Sequence, residues 1–187
     1  WGLTDDRLVI GTIASLEPHK GHRVLLDGIP RVLARCPSAV FVWAGEGSQD
    51  ADLRARVAAR ALEGAVRFLG LVDDIPAVLS ALDLLVLPST EREGFSLALA
   101  EAAMAGCPAV ASRVGGVPEI IEDRATGLLV PPGNAVALAD AIVELLSSAE
   151  LRKQLGEATR VRARAQFTSD AMVERVIAIY RTVLGQS

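Results

Sequence analysis

Aromatic residues make up only 4% of this 187-residue chain, so its core must be assembled from Ala, Val, Leu and Ile. Lysine is scarcer: of 19 basic residues, only Lys20 and Lys153 are lysines. The two cysteines, Cys36 and Cys107, stand far apart in small or apolar surroundings and lack metal-ligand spacing. They read as buried thiols in a reducing, cytoplasmic compartment, not as a disulfide framework. No apolar run is long enough to cross a membrane, because the longest, 95–112, is broken by Glu101, Gly106 and Pro108. Nor is there an excess of positive charge. A net charge of −4 and a pI of about 5.2 argue against a nucleic-acid binder that works by broad phosphate neutralisation. A local pocket for one small anion remains compatible with that balance.

Several familiar motifs are also missing. There is no GxxxxGK[ST], and Gly45-Glu46-Gly47 lacks the third glycine of a dinucleotide fingerprint, since position 50 is Asp. The only histidines, His19 and His22, crowd one loop, which leaves no Ser-His-Asp constellation and too few ligands for a metal.

What is present is 51% hydrophobic and 22% charged, with a mean hydropathy of +0.36. That composition supports a folded domain and excludes a disordered chain, and the length suits one large domain. Runs apolar on both faces are expected as strands at 8–14, 40–44, 66–69, 84–87, 109–111 and 128–130. They alternate with helical patterns at 24–34, 51–62, 75–81, 95–105 and 117–121. This is the signature of βαβ units and a parallel sheet of about six strands. From about 135 to the end the pattern is three helices in succession, 135–147, 149–165 and 169–184. The reading is one α/β domain with a C-terminal helical tail. A start at Trp1, not Met, leads us to expect further chain upstream.

Ligands of open α/β sheets bind beyond the carboxyl ends of the strands, and each candidate falls in a loop or helix there. Glu101 is the only carboxylate in the apolar run 95–108. A helix apolar all round is expected to be buried, so Glu101 is either matched by a partner or set in a small solvent window. Glu93 lies eight residues earlier and shares a face with Leu97 and Glu101 if the helix reaches back that far. Gly94 then opens the helix, leaving the amides of Phe95, Ser96 and Leu97 as donors for an anion. Gly115-Gly116, ahead of Glu119, offers a second cradle. Lys20, followed by Gly21 and a helix, suits a phosphate as a compact point charge. A lysine, two carboxylates and helix-terminal amides fit an anionic ligand carrying hydroxyls, such as a nucleotide sugar.

These residues resemble a known family. Glu93-Gly94-Phe95 through Glu101 is similar to the E-x7-E motif of retaining glycosyltransferases of the GT-B fold, in particular family 4. The segments LEPHKGHRVLLDGIP, VWAGEGS, VRFLGLVDDIPAVL and LPSTEREGFSLALAEAAMAGCPAVASRVGGVPEIIEDRATGLLVPP resemble it as well. The resemblance implies a Rossmann-like, three-layer domain, the second of two, with the N-terminal acceptor-binding domain absent here. It implies transfer of a hexosyl group from a nucleoside-diphosphate sugar, UDP being the favoured carrier, with retention and without a required metal or other cofactor. Residue by residue, Lys20 resembles the lysine on the donor diphosphate and Glu93 the carboxylate near the donor sugar. The amides around Gly94, Phe95, Ser96 and Leu97 would reach sugar and phosphate, and Glu101 the ribose. The backbone at Leu71 and Val72 would meet the base. Many members carry arginine five residues before the lysine; here it is Ser15, so the diphosphate charge would rest on Lys20 and helix termini. The implied partners are the donor and the absent domain, not nucleic acid, and the full enzyme could associate with a membrane. The fragment alone is expected to turn over little. Two alternatives stay open, a nucleotide-sugar epimerase of the same fold and a non-catalytic binding module.

Overall fold

The computed structural model of the protein describes residues 2–4, 6–91 and 93–185. Six strands form one parallel sheet: β1 (Leu8–Ile13), β2 (Ala39–Ala44), β3 (Val66–Gly70), β4 (Leu84–Leu87), β5 (Ala109–Ser112) and β6 (Leu128–Val130). All six lie within one residue of the ranges expected from the sequence. Every residue of β2, β4 and β5 is buried, which is why those strands read as unbroken apolar runs.

The helices are α1 (His22–Arg35), α2 (Asp50–Ala59), α3 (Ile75–Ser80), α4 (Leu97–Ala105), α5 (Val117–Ile120), α6 (Ala135–Leu146), α7 (Ala149–Gln166) and α8 (Ser169–Val183). One face of the sheet is covered by α1, α2 and α6, whose Leu25, Ile29, Leu53, Val57, Leu138 and Ile142 join the main core. The other is covered by α3, α4 and α5 through Leu79, Leu99, Ala102, Val117 and Ile120. The C-terminal helices form as expected, and they differ in burial. α6 belongs to the main core, and α7 packs behind α4, where Gly156 comes so close that a Cβ on it would lie 2.3 Å from the Gly106 carbonyl oxygen. α8 has no buried residue, and its Val176, Ile179, Tyr180 and Val183 are exposed.

The strand order is β3-β2-β1-β4-β5-β6. The chain winds outward from β1, then returns to lay β4 on the other side of it. Because α1 and α4 cover opposite faces, the loops after β1 and β4 diverge and leave a crevice at the carboxyl ends, where such sheets bind ligands.

Two expectations about α4 need correction. The helix starts at Leu97, not at 95. Ser96 is its N-cap, in an extended conformation (φ −77°, ψ 104°), and its hydroxyl accepts from the Leu99 amide. Glu93 and Phe95 therefore lie in the preceding loop, and the shared face of Glu93, Leu97 and Glu101 does not form. Nor is α4 buried all round: Leu99, Ala100, Ala102 and Ala103 face inward, whereas Leu97, Glu101, Met104 and Ala105 are exposed. Glu101 thus takes the second of its two expected places, facing solvent, on an Ala- and Leu-rich helix that carries no polar stripe to mark its outer side.

Candidate active site

Three loops leaving β1, β4 and β5 interlock at the crevice. Lys20 ends a short 3-10 turn, Pro18–Lys20, closed by Gly21 at φ 75°. A Cβ on Gly21 would lie 1.9 Å from the Pro88 carbonyl oxygen, so both the backbone angle and the close approach require glycine. The Thr90 amide donates to the His19 carbonyl at 2.8 Å, joining the first loop to the second. From the third loop, the Gly116 amide donates to the Glu93 carbonyl at 2.9 Å. A Cβ on Gly115 (φ 49°) would stand 1.8 Å from that same oxygen. The expectation of an anion cradle at Gly115-Gly116 is thereby corrected, since the Gly116 amide is taken by Glu93 and this pair supports the Glu93 backbone.

Lys20 Nζ donates to both carboxylate oxygens of Glu93, at 3.0 Å to Oε1 and 2.9 Å to Oε2. The Ser89 hydroxyl donates to Oε2 at 2.7 Å. Glu93 is only 8% exposed and Ser89 is fully buried. A carboxylate so far out of water is tolerable because a cation and three donated hydrogen bonds compensate it.

This pair lines a cleft of about 300 Å³ together with Ser15, Phe95, Ser96, Leu97 and Ala98. Among the described residues, the amides of Leu97 and Ala98 have no acceptor, as first-turn amides of a helix do not. Of the expected trio Phe95, Ser96 and Leu97, the first two precede α4 as loop residue and N-cap, and all three line the cleft together with Ala98. Gly94 is exposed, with open space around its Cα.

Glu101 opens on a separate hollow of about 510 Å³, walled by Ile75, Pro76, Leu79, Phe95, Met104 and Phe167 among others. Phe95 and Leu97 border both spaces, and Phe95 is steadied edge-on by Phe167, with ring centroids 5.6 Å apart. Leu71 is 75% exposed. Val72 faces a different hollow, of about 620 Å³, beside Val9, Val78 and Asp83. The Asp83 carboxylate there accepts from the Val9 amide at 2.8 Å, and Arg7 and Asp74 line the same space. Ile75 and Pro76 at the start of α3 line the hollow beside Glu101.

His22 turns inward beside Lys20 and is fully buried. It meets Trp43 edge-on with centroids 5.2 Å apart, and neither ring nitrogen has a partner among the described residues. Burial, reinforced by the neighbouring Lys20 charge, pulls its pKa down to about 4. It is a core residue and does not pair with the half-buried His19. Among the described residues no three His, Cys, Asp or Glu side chains are grouped to hold a metal ion, and no helix is long and apolar enough to cross a membrane. Cys36 and Cys107 are free and buried as expected, and burial pushes the Cys107 thiol up to about 12. Sequence reasoning missed Ser89, whose signal was a small hydroxyl residue just past a buried strand and Pro88.

Residues 7–148 match the family model described as glycosyl transferases group 1. The chain is 30% identical over 184 residues to N-acetyl-alpha-D-glucosaminyl L-malate synthase of Bacillus anthracis, covering 98% of this chain and 48% of that protein. The crystal structure of Anabaena Alr3699/HepE in complex with UDP superposes with a TM-score of 0.88 at 26% identity, over 95% of this chain and 49% of that one. The C-terminal domain of the glycosyl transferase group 1 family protein LpcC from Francisella tularensis superposes with a TM-score of 0.79 at 27% identity, over 87% of each chain. The chain thus spans about half the length of the full-length relative.

Proposed function

The chain belongs to the glycosyl transferases group 1 family, and from that premise we propose that it is the nucleotide-sugar-binding half of a retaining hexosyltransferase. The observation that carries this reading is the Lys20–Glu93 pair, set in a cleft at the β1/β4 reversal beside two unpaired amides of α4. A diphosphate in that cleft meets Lys20 and the amides of Leu97 and Ala98, a point charge and a helix terminus together. Glu93 then faces the sugar, and Glu101 faces the ribose hydroxyls. The base lies toward Ile75 and Pro76, with the backbone at Leu71 and Val72 at its edge. UDP is the favoured carrier, as the likeness to a UDP complex supports.

In the reaction, the bond between the anomeric carbon and the diphosphate oxygen breaks, and the departing nucleotide gathers negative charge. The α4 amides are fixed in advance where that charge grows, and Lys20, turned from Glu93 to the diphosphate, adds its cation to them. The sugar passes to an acceptor hydroxyl with retention of configuration. Those three donors meet the diphosphate charge, so the proposal assigns no metal. An N-terminal domain would bring the acceptor and the facing wall of the cleft, so this chain alone binds donor and transfers little.

Calorimetric titration with UDP, GDP and ADP tests the assignment. One nucleotide is expected to bind, and Lys20→Ala and Glu101→Ala are each expected to weaken it at least about tenfold, ~1.4 kcal/mol. A folded chain that binds none of the three at millimolar concentration would overturn it. Ser15, which leaves Lys20 as the one cationic side chain on the cleft among the described residues, favours a second reading as a non-catalytic interaction module whose pocket is vestigial. That reading predicts no nucleoside-diphosphate binding even in the full-length protein.

A further inference from the structure

We propose that Ser89 is a positioning residue that holds the Glu93 carboxylate on station when the diphosphate draws Lys20 away; the inference rests on the donor-site reading above. In the empty cleft, Lys20 donates to both Glu93 oxygens, and Ser89 donates to Oε2 alone. The lysine cannot keep both contacts and also face two phosphates. When it turns toward the diphosphate, Glu93 loses its bonds from the cation. Among the described residues, the one side-chain donor left to it is the Ser89 hydroxyl, 2.7 Å from Oε2.

That hydroxyl is well placed for the task. Ser89 is fully buried immediately after β4, and the loop that carries it is pinned by the Thr90–His19 bond and by the packing of Gly21 against Pro88. A side chain fixed in this way does not follow the lysine. The carboxylate then stays in the cleft with Oε2 satisfied and Oε1 bare, and a bare carboxylate oxygen in a part-buried cleft needs a donor. A sugar hydroxyl supplies one. Glu93 is therefore presented asymmetrically, Oε2 toward the protein and Oε1 toward the sugar, and Ser89 sets that orientation. Its influence belongs to the sugar-bearing ligand and not to the nucleotide.

The test compares UDP with UDP-glucose by calorimetry, using the chain as it stands and its Ser89→Ala and Ser89→Cys variants. The loss of one hydrogen bond to a charged group corresponds to about a tenfold change in affinity. Ser89→Ala is expected to weaken UDP-glucose by about that factor and to leave UDP within about twofold. Ser89→Cys, a weaker donor of similar size, is expected to fall between Ser89→Ala and the parent. Thermal midpoints measured alongside report folding separately. Parallel losses for both ligands would show a structural role and overturn the proposal, as would an unchanged affinity for UDP-glucose. A parent chain that binds UDP but gains nothing from the glucose also overturns it. A parent that binds none of UDP, GDP and ADP overturns the donor-site reading beneath it, and where GDP or ADP binds in place of UDP the same comparison is run with that nucleotide and its glucose conjugate, so the two failures are told apart.

Discussion

Glu93 and Glu101 are eight residues apart and border adjoining spaces, yet they sit in opposite surroundings. Glu93 is enclosed, bound by Lys20 and Ser89, with its own carbonyl held by Gly116. Glu101 stands on the outer face of α4 above an apolar hollow. On the first side of the crevice, the groups that would touch ligand are also the groups that hold three loops together. On the second, the carboxylate contributes nothing to the fold. Damage to the enclosed side should therefore register in stability before any ligand is added, whereas damage to the open side should register only when ligand is present.

The largest effect should come from Gly115→Ala. The new Cβ would overlap the Glu93 carbonyl oxygen at a left-handed backbone position, and we expect a loss of more than ~3 kcal/mol in urea denaturation. A loss below ~1 kcal/mol would show that the three loops are not rigidly coupled.

Next comes acid. His22 is held neutral, with its pKa lowered from 6.5 to about 4, so the unfolded chain takes up this proton first as pH falls. The stability this residue lends is complete above about pH 6.5 and drains away down to about pH 4. In total it amounts to about 3 kcal/mol. Denaturation curves across that window should show the slope, and His22→Phe should flatten it.

Third, Glu93→Ala strands a mostly buried lysine and a buried hydroxyl and should cost about 2 kcal/mol without ligand. Smallest is Glu101→Ala, expected within ~0.5 kcal/mol of the parent in stability while nucleotide affinity drops about tenfold. If Glu101→Ala destabilised the chain as much as Glu93→Ala, the contrast between the two sides would be lost.

The sheet was legible because its strands are short apolar runs set between turn residues, and β2, β4 and β5 are buried along their whole length. Lys20 was legible by scarcity. The start of α4 was not, because Phe95 and Ser96 belong to the same apolar run and only the Ser96 cap shows where the helix begins. Glu101's exposure was hidden for a related reason: the outer side of α4 is lined by Leu97 and Met104, so polarity gives no sign of water. Ser89 and the supporting role of Gly115-Gly116 depend on contacts between separate loops, and no local pattern announces them.

The placing of β1 between strands from distant parts of the chain also governs timing. Lys20 emerges before the rest of the site, its partner Glu93 comes 73 residues later, and the glycine brace at Gly115 later still. At ~5–20 residues per second, about a hundred residues of chain take on the order of ten seconds to appear. Until β4 has emerged, β1 can pair with β2 on one side only, and the lysine beyond it waits in water for Glu93. The crevice thus cannot close before the loop after β5 has emerged, and hydrogen-exchange labelling of nascent chains stalled before β4 and after β5 should find the amides around Lys20 protected only in the longer ones.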